Sequence, residues 1–319
     1  MGEIMIQFNS TITGPLRHVN YFEKHIAGSE GNVAIGVKRL GIDSAVLTAV
    51  GEDEFGKNIL MILKAEGVNT SLVKIDDSHP TGIYFIQRGY PIPEHVEVIY
   101  YRKDSAFNYL TEEDIKGEFF EDINLFHTSG ISLSLSEKVR KACERALGIC
   151  LDNEITVSFD TNIRRKLLKS RKEAIEKLKP FLENSRIIFT GKGDLEFIFG
   201  SEIENVEKAA EKFLKEYCKN CEILVIKMGA NGSMAWNGKN WYRQSSFKVN
   251  VVDEVGAGDA FDAAFLACYL KEEDIQNCLK MGSVAGALVT TTRGDYEAFP
   301  GEEEIHAFLN GVHGKEHLR

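Results

Sequence analysis

Residues 248–270 read KVNVVDEVGAGDAFDAAFLACYL, and this stretch decides the fold. Val249, Val251 and Val252 form a β-branched run that predicts a strand, Gly256-Ala257-Gly258 interrupts it, and the residues after Gly258 predict a helix that is apolar nearly all round. Asp259 falls in the first turn of that helix. The N–H groups of a glycine-rich strand-to-helix turn make a concave positive site suited to a phosphoryl group, and a carboxylate beside it can take a proton from an attacking hydroxyl. The pairing points to phosphoryl transfer to an alcohol. A plainer reading stands beside it: Asp in a first helical turn is favoured by the macrodipole, and Gly-Ala-Gly can be a tight connection and nothing more.

Composition narrows the choice. At 319 residues and 43% apolar, the chain can bury a sizeable core as one large α/β domain or two smaller ones. It has no run of 18 apolar residues, and Met1 to Ser10 lacks the basic-then-apolar layout of a signal peptide, so a cytoplasmic protein without a membrane partner is expected. The six cysteines follow no framework spacing and read as reduced thiols; Cys218-Lys219-Asn220-Cys221 has no second pair to complete a zinc site. With 48 acidic against 38 basic residues, net −10, a nucleic-acid surface is excluded. An acidic protein that binds ATP must gather positive charge locally, from Mg²⁺, backbone N–H groups and a few arginines.

Strand-like runs (Ile4 to Phe8, Ala45 to Val50, Ile123 to His127, Thr156 to Phe159, Ile187 to Thr190, Ile223 to Lys227) alternate with helical ones (Asn32 to Leu40, Gly56 to Glu66, Ser136 to Cys150, Arg171 to Glu183, Val206 to Tyr217). That alternation predicts an α/β fold, a mostly parallel sheet covered by helices on both faces. Two aromatic-rich extended segments break the rhythm, Phe8 to Ala27 and Gly82 to Arg102, the second holding the turn Gly89-Tyr-Pro-Ile-Pro93. They predict a small sheet standing off the main one, as a lid over a ligand, an oligomer contact, or both.

Ala27-Gly-Ser-Glu-Gly-Asn-Val-Ala34, then Leu40-Gly41 and Val50-Gly-Glu-Asp-Glu-Phe-Gly56, resemble the N-terminal signature of the ribokinase-like (phosphofructokinase B) carbohydrate kinases, and GAGD resembles their C-terminal one. Within that family IQFNS…GPLRHVNYFEKHIAGSE, TGIYFIQRGYPIPEHVEVIYYRK and FDTNIR are similar to 2-keto-3-deoxygluconate kinases, especially the archaeal type that also accepts the galactonate epimer. The resemblance implies a three-layer α/β/α sandwich, one domain over 1–319, with a β-sheet lid from about 8–27 and 82–104. It implies ATP and Mg²⁺ as cofactors, a sugar acid as substrate in catabolism of the Entner–Doudoroff type, and a dimer-based oligomer, up to tetramer or hexamer, through the lid strands.

Roles carry over residue by residue. Asp259 matches the catalytic base and Gly256, Ala257 and Gly258 the anion hole; Gly28 matches the glycine that lets the sugar acid approach the backbone, against the reading that it caps a helix. Tyr84, Tyr100 and Arg102 match lid contacts, with Tyr100 and Arg102 on one strand face at period two. Arg164, just past a strand, matches the position facing the acidic end of the substrate, since a guanidinium grips a carboxylate through two parallel hydrogen bonds. Its plain alternative is pairing with Asp160. Asp295 matches a further substrate contact. Lys227, Gly229, Ala230 and Gly232 resemble the loop over the ATP phosphates, although Gly229 and Gly232 equally suit a hairpin turn. The stretch Gly282 to Leu288 resembles the adenine-pocket wall, or serves close helix packing.

Three departures and one decoy stand out. Glu254 follows Asp253 where relatives carry a small residue, which leaves a monovalent-cation site in this loop open. The Asn-x-x-Glu motif that orders water on Mg²⁺ falls at Gly191-Lys-Gly-Asp194, leaving Asp194 as its remnant, acting through water. Relatives carry a few more apolar residues before Gly2-Glu3, so the first strand is expected to be shortened or the natural start to lie upstream. Gly51-Glu-Asp-Glu-Phe-Gly-Lys57 approaches a P-loop, but Asn58 lacks the hydroxyl and three carboxylates would crowd a triphosphate; an acidic helix start fits better. Arg102 and Arg164 favour an acid over a neutral sugar of the fructokinase or ribokinase kind. A catalytically silent sugar-binding relative is the alternative of another class, and a nicotinamide oxidoreductase is disfavoured by the lack of G-x-G-x-x-G after the first strand.

Overall fold

The computed structural model describes residues 1–93 and 96–313, with side chains through residue 311. In chain order the strands are β1 (Met5–Ser10), β2 (Phe22–Ala27), β3 (Thr48–Gly51), β4 (Val73–Asp76), β5 (Ile83–Arg88), β6 (Val96–Tyr101), β7 (Leu125–Ser129), β8 (Thr156–Asp160), β9 (Ile187–Gly191), β10 (Ile223–Lys227), β11 (Ser233–Trp236) and β12 (Trp241–Gln244). The helices are α1 (Ser29–Arg39), α2 (Glu54–Ala65), α3 (Gly130–Leu135), α4 (Glu137–Asp152), α5 (Arg171–Asn184), α6 (Lys192–Phe199), α7 (Val206–Tyr217), α8 (Ala257–Leu270), α9 (Ile275–Val289) and α10 (Glu302–His313).

Six strands form the central sheet in the order β12-β11-β10-β9-β8-β7; β7 to β10 run parallel, and β11 and β12 extend the edge antiparallel. Period-two alternation sorts their side chains between two cores. In β10, Leu224 and Ile226 join Phe181 and Phe213 from α5 and α7, while Ile223 and Val225 meet Phe261 and Phe265 of α8 and Leu279 of α9. Helices therefore cover both faces, the three-layer arrangement expected. β3 and β4 form a separate parallel pair. A cavity of about 1020 Å³ is lined by β7 and by the approach to β3, and Met1 and Gly2 bridge its walls: the Met1 amine donates to the His127 carbonyl at 2.7 Å and the Gly2 amide to that of Leu47 at 3.3 Å.

The lid is a four-stranded sheet, β2-β1-β5-β6, with β1 and β5 parallel at its centre. The run at Ile4 to Phe8 belongs here and not to the main sheet, because β1 spends its ladder on β2 and β5. Phe8, Phe22 and Phe85 hold the sheet together, the first and last stacked at 5.1 Å and Phe22 edge-on to Phe85 at 5.4 Å.

One expectation fails. Val249 to Val252 is not a strand: Val251 and Val252 are exposed, and the amides of Val252 and Asp253 both donate to the Thr290 carbonyl at the end of α9. With no sheet edge beside it, β propensity has no ladder to join. The GAGD turn is therefore preceded by an extended connection strapped to α9.

Phe189 of β9 ties the sheet to α8, fully buried and edge-on to Phe265 at 5.3 Å. Phe189→Ala is expected to lower the unfolding free energy by about 3–5 kcal/mol in urea denaturation. Exposed Ile75→Ala, as control, is expected to change it by no more than about 0.5 kcal/mol.

Candidate active site

The site forms where the N-termini of α1 and α8 meet beneath the lid. The helices cross in contact: a Cβ at Gly36 of α1 would come within 2.6 Å of the Ala263 Cβ on α8. Gly256 caps α8 with φ +79°, and a side chain there would lie 2.4 Å from the Asp295 carbonyl. Of the turn's amides, Ala257 donates to Glu254 at 3.4 Å and Ala260 to Gly256 at 2.8 Å. Those of Gly256, Gly258 and Asp259 find no protein acceptor among the described residues, so the turn presents free donors at the positive end of a 14-residue helix.

Asp259 is half-buried and held from α1: Ser29 Oγ donates to one carboxylate oxygen at 2.6 Å and Asn32 Nδ2 to the other at 2.8 Å. Burial lifts its pKa above the usual 3.8, and the bonds from Ser29 and Asn32 oppose the rise. Asn32 Nδ2 also donates to Asp295 Oδ1 at 2.7 Å, so one amide joins two carboxylates. Burial, and then the charge on Asp259, push the Asp295 carboxyl up to about 8. Asn162 extends the chain of hydrogen bonds from the loop after β8, donating to Ser29 Oγ at 3.1 Å.

Gly28 is the N-cap of α1 at φ +155°, where a Cβ would sit 2.3 Å from the Glu3 carbonyl. The backbone alone thus demands glycine, in agreement with the capping alternative. Tyr84 and Tyr100 stand opposite each other on β5 and β6, ring centroids 5.4 Å apart, with Tyr84 buried and Tyr100 exposed. Burial raises the Tyr84 phenol well above 10, helped by the carboxyl of Asp295. Arg164 is exposed and makes no ion pair among the described residues; Asp160, its plain alternative partner, is bound to Lys227 instead.

Two expected cations are already engaged. Arg102 lies just past β6, buried, with Nε donating to Glu3 Oε2 at 2.7 Å while Ser105 takes the other Glu3 oxygen. Its counter-charge is Glu3, so the argument that a neutral sugar would leave it unpaired falls away; nothing in the residue pattern signals that the N-terminal residues fold back beneath β6. Lys227 is held by carboxylates beside the turn: Nζ donates to Asp160 at 3.0 Å and to both oxygens of Asp262 at 2.8 and 2.9 Å, and lies 3.5 Å from where a Cβ at Gly258 would stand. Burial pulls its pKa down, but the two carboxylates outweigh that and raise it. Gly229, Ala230 and Gly232 form the turn joining β10 antiparallel to β11, the hairpin geometry. The small residues of α9 serve close packing, since Cβ atoms at Gly282 and Gly286 would come within 3.0 and 3.1 Å of the Phe261 and Ala257 carbonyls on α8.

No cluster of three or more potential metal ligands exists among the described residues. Asp194, in the first turn of α6, accepts from Thr161 Oγ1 at 2.6 Å and from the Ile163 amide at 3.3 Å, both on Oδ2, and burial raises its pKa. Oδ1 has no protein partner among the described residues, which fits a water-mediated role beside Mg²⁺, an ion that keeps most of its waters and binds through few carboxylates. The P-loop resemblance dissolves: Asp53 caps α2, accepting from Phe55 and Gly56 amides and from Thr81. Ser29, Asn32, Asn162 and Asp262 are site residues that the sequence reading misses. Ser29 and Asn32 lie three apart inside the quoted N-terminal signature, on one face of α1, and that spacing was the available signal.

Residues 1–301 match the pfkB family carbohydrate kinases. A 2-dehydro-3-deoxygluconokinase of Thermoproteus tenax is 37% identical over 314 residues, 98% of this chain and 94% of that protein. Fructokinase-1 of Zea mays is 31% identical over 312 residues, 95% of this chain and 94% of that one. Among solved structures, a putative ribokinase II from E. coli in complex with ATP and Mg²⁺ superposes with a TM-score of 0.88 at 27% identity, covering 97% of each chain.

The raised Asp295 carboxyl has a thermodynamic signature. The unfolded chain releases this proton near the ordinary 3.8 and the folded protein near 8, so stability is full below that window and is lost as pH rises through it. Asp295→Asn keeps an acceptor for Asn32 and removes the charge. Its thermal midpoint is expected to fall less than that of the wild type between about pH 5 and 8, and to lie above it at the upper end.

Proposed function

The chain belongs to the pfkB family of carbohydrate kinases, and from that premise we propose that it transfers the γ-phosphoryl group of ATP to the terminal hydroxyl of 2-keto-3-deoxygluconate, with the galactonate epimer as a second substrate. The observation that carries the reading is Asp259, fixed by Ser29 and Asn32 beside three free amides at the start of α8. Asp259 accepts the hydroxyl proton as the oxygen–phosphorus bond forms and the bond to the leaving ADP breaks. The amides of Gly256, Gly258 and Asp259 meet charge on the phosphoryl oxygens, where fixed donors need no reorganisation. Asn32 orients the base and couples it to Asp295, which as the protonated acid offers the substrate a hydrogen-bond donor.

Mg²⁺ bound with ATP would supply charge neutralisation on the phosphates, with Asp194 as this chain's contribution through water. Gly229, Ala230 and Gly232 are assigned to the nucleotide's edge of the site. Lys227 acts from behind by neutralising Asp160 and Asp262, which would otherwise repel a triphosphate. On the sugar side Gly28, Tyr84 and Tyr100 line the approach, Arg102 steadies the Tyr100 ring from 5.3 Å, and unpaired Arg164 takes the substrate carboxylate. A sugar-acid catabolic role of the Entner–Doudoroff type and self-association through the lid edges belong to the same reading. The exposed Tyr100 and Tyr101 of β6 support the latter.

Asp259→Asn is expected to lower kcat for sugar-dependent ADP release by about 10²–10⁴-fold with thermal stability retained. Arg164→Ala is expected to raise KM for 2-keto-3-deoxygluconate about 10–100-fold, the loss of one charged hydrogen-bonded contact, with little effect on KM for ATP. An unchanged KM in that variant, or faster turnover of fructose than of the sugar acid by the wild type, would overturn the acid assignment.

A further inference from the structure

The loop that leads into the anion-binding turn contains a buried carboxylate, Asp253, whose two oxygens are both engaged. Oδ1 accepts the Val255 amide at 3.2 Å and Oδ2 accepts Arg88 Nη2 at 2.5 Å. Arg88 is the last residue of β5 in the lid, and its Nε donates to Asn9 Oδ1 on β1 at 3.0 Å, while its own carbonyl accepts the Gly14 amide at 2.9 Å. The guanidinium is thus anchored in the lid and reaches across to the catalytic layer. The Thr290 carbonyl, the loop's other anchor, already accepts two amides, at 2.8 and 3.2 Å.

These contacts do not fit a monovalent cation bound by the loop. Such an ion needs several oxygen ligands turned toward it; here the carboxylate is consumed by a guanidinium, and a second positive charge within a few ångströms of Arg88 in a poorly solvated place would be repelled. Glu254, the departure seen in the sequence, is exposed. We propose that Arg88 is a positioning residue that takes the place of a monovalent cation at Asp253, so that the counter-charge ordering the anion-binding turn is carried by the lid itself. The inference rests on the kinase reading. Seating of the lid and ordering of Gly256 to Asp259 then become one event, because lifting β5 leaves the Asp253 carboxylate without its counter-charge, a state that is strongly disfavoured.

The test uses the full chain, with potassium chloride exchanged for choline chloride at constant ionic strength. Wild-type kcat and the ligand-free thermal midpoint are expected to be the same in both salts. Arg88→Ala is expected to lose about tenfold or more in kcat and to melt earlier, with potassium restoring part of both. Arg88→Ala/Asp253→Asn is expected to recover the midpoint without potassium, which a packing role for Arg88 would not produce. Arg88→Lys, the milder change, serves if the alanine variant fails to fold, with salt-insensitivity retained as its expected result. Activation of the wild type several-fold by potassium, or an Arg88→Ala midpoint that neither drops nor responds to Asp253→Asn, overturns the proposal. Absence of sugar-dependent ADP release from the wild type in either salt would instead sink the kinase reading, and the midpoints would still decide the role of Arg88.

Discussion

Two neighbouring carboxylates taken out of water cannot both sit ionised without help, and one side-chain amide is shared between them. Asn32 gives one hydrogen to Asp259 and the other to Asp295, and burial together with the Asp259 charge keeps Asp295 as the acid. Much of the architecture serves that contact. It requires α1 and α8 to cross closely enough for a helix–helix hydrogen bond at their first turns, hence Gly36 against Ala263, and it requires the Asp295 loop to lie directly over Gly256. Neither carboxylate alone would need so close a placement. The difference between the two carboxyls arises from their environments, not from their chemistry.

Positive charge is scarce in a chain of net −10, and the structure shows where it is spent. Lys227 neutralises Asp160 and Asp262, Arg102 is matched to Glu3, and Arg88 is matched to Asp253. Each is a buried or half-buried pair whose role is to keep carboxylates from repelling one another or a ligand. Around the turn itself, donors free of a protein partner among the described residues are the backbone amides at the head of α8, and Arg164 adds an exposed guanidinium from the loop after β8. Phosphate and carboxylate would thus be met by different donors, fixed dipoles for the one and a mobile side chain for the other.

The layered fold is legible in the sequence because its strands are buried on both faces and its helices carry strong amphipathic or small-residue patterns; the helix at Val206–Tyr217 can be read to the residue. Asp259 and Gly256 are legible because glycine at a positive φ and acid in a first turn leave a local mark. What is not legible depends on distance in the chain. Val249 to Val252 has strand propensity but no neighbouring edge. Arg102 finds Glu3 from 99 residues away and Lys227 finds Asp160 from 67, so their charges look free in the sequence. Asn32 is an unremarked polar residue in a helix until α8 is laid against it.

Gly28 and Gly256 have no room for a methyl group, the atoms in the way being backbone carbonyls, and at Gly282 and Gly286 a methyl would be a tight fit against carbonyls of α8. The turn proposed to hold the phosphoryl group therefore has little freedom to accept sequence change. The face proposed to meet the sugar is different: Tyr100 and Arg164 are exposed and sit on a strand edge and a loop. A lineage built this way can alter what it phosphorylates by drifting on the lid and one loop while the chemistry stays frozen beneath, and relatives at comparable similarity named for a sugar acid and for fructose are what such a division of evolutionary freedom would leave behind.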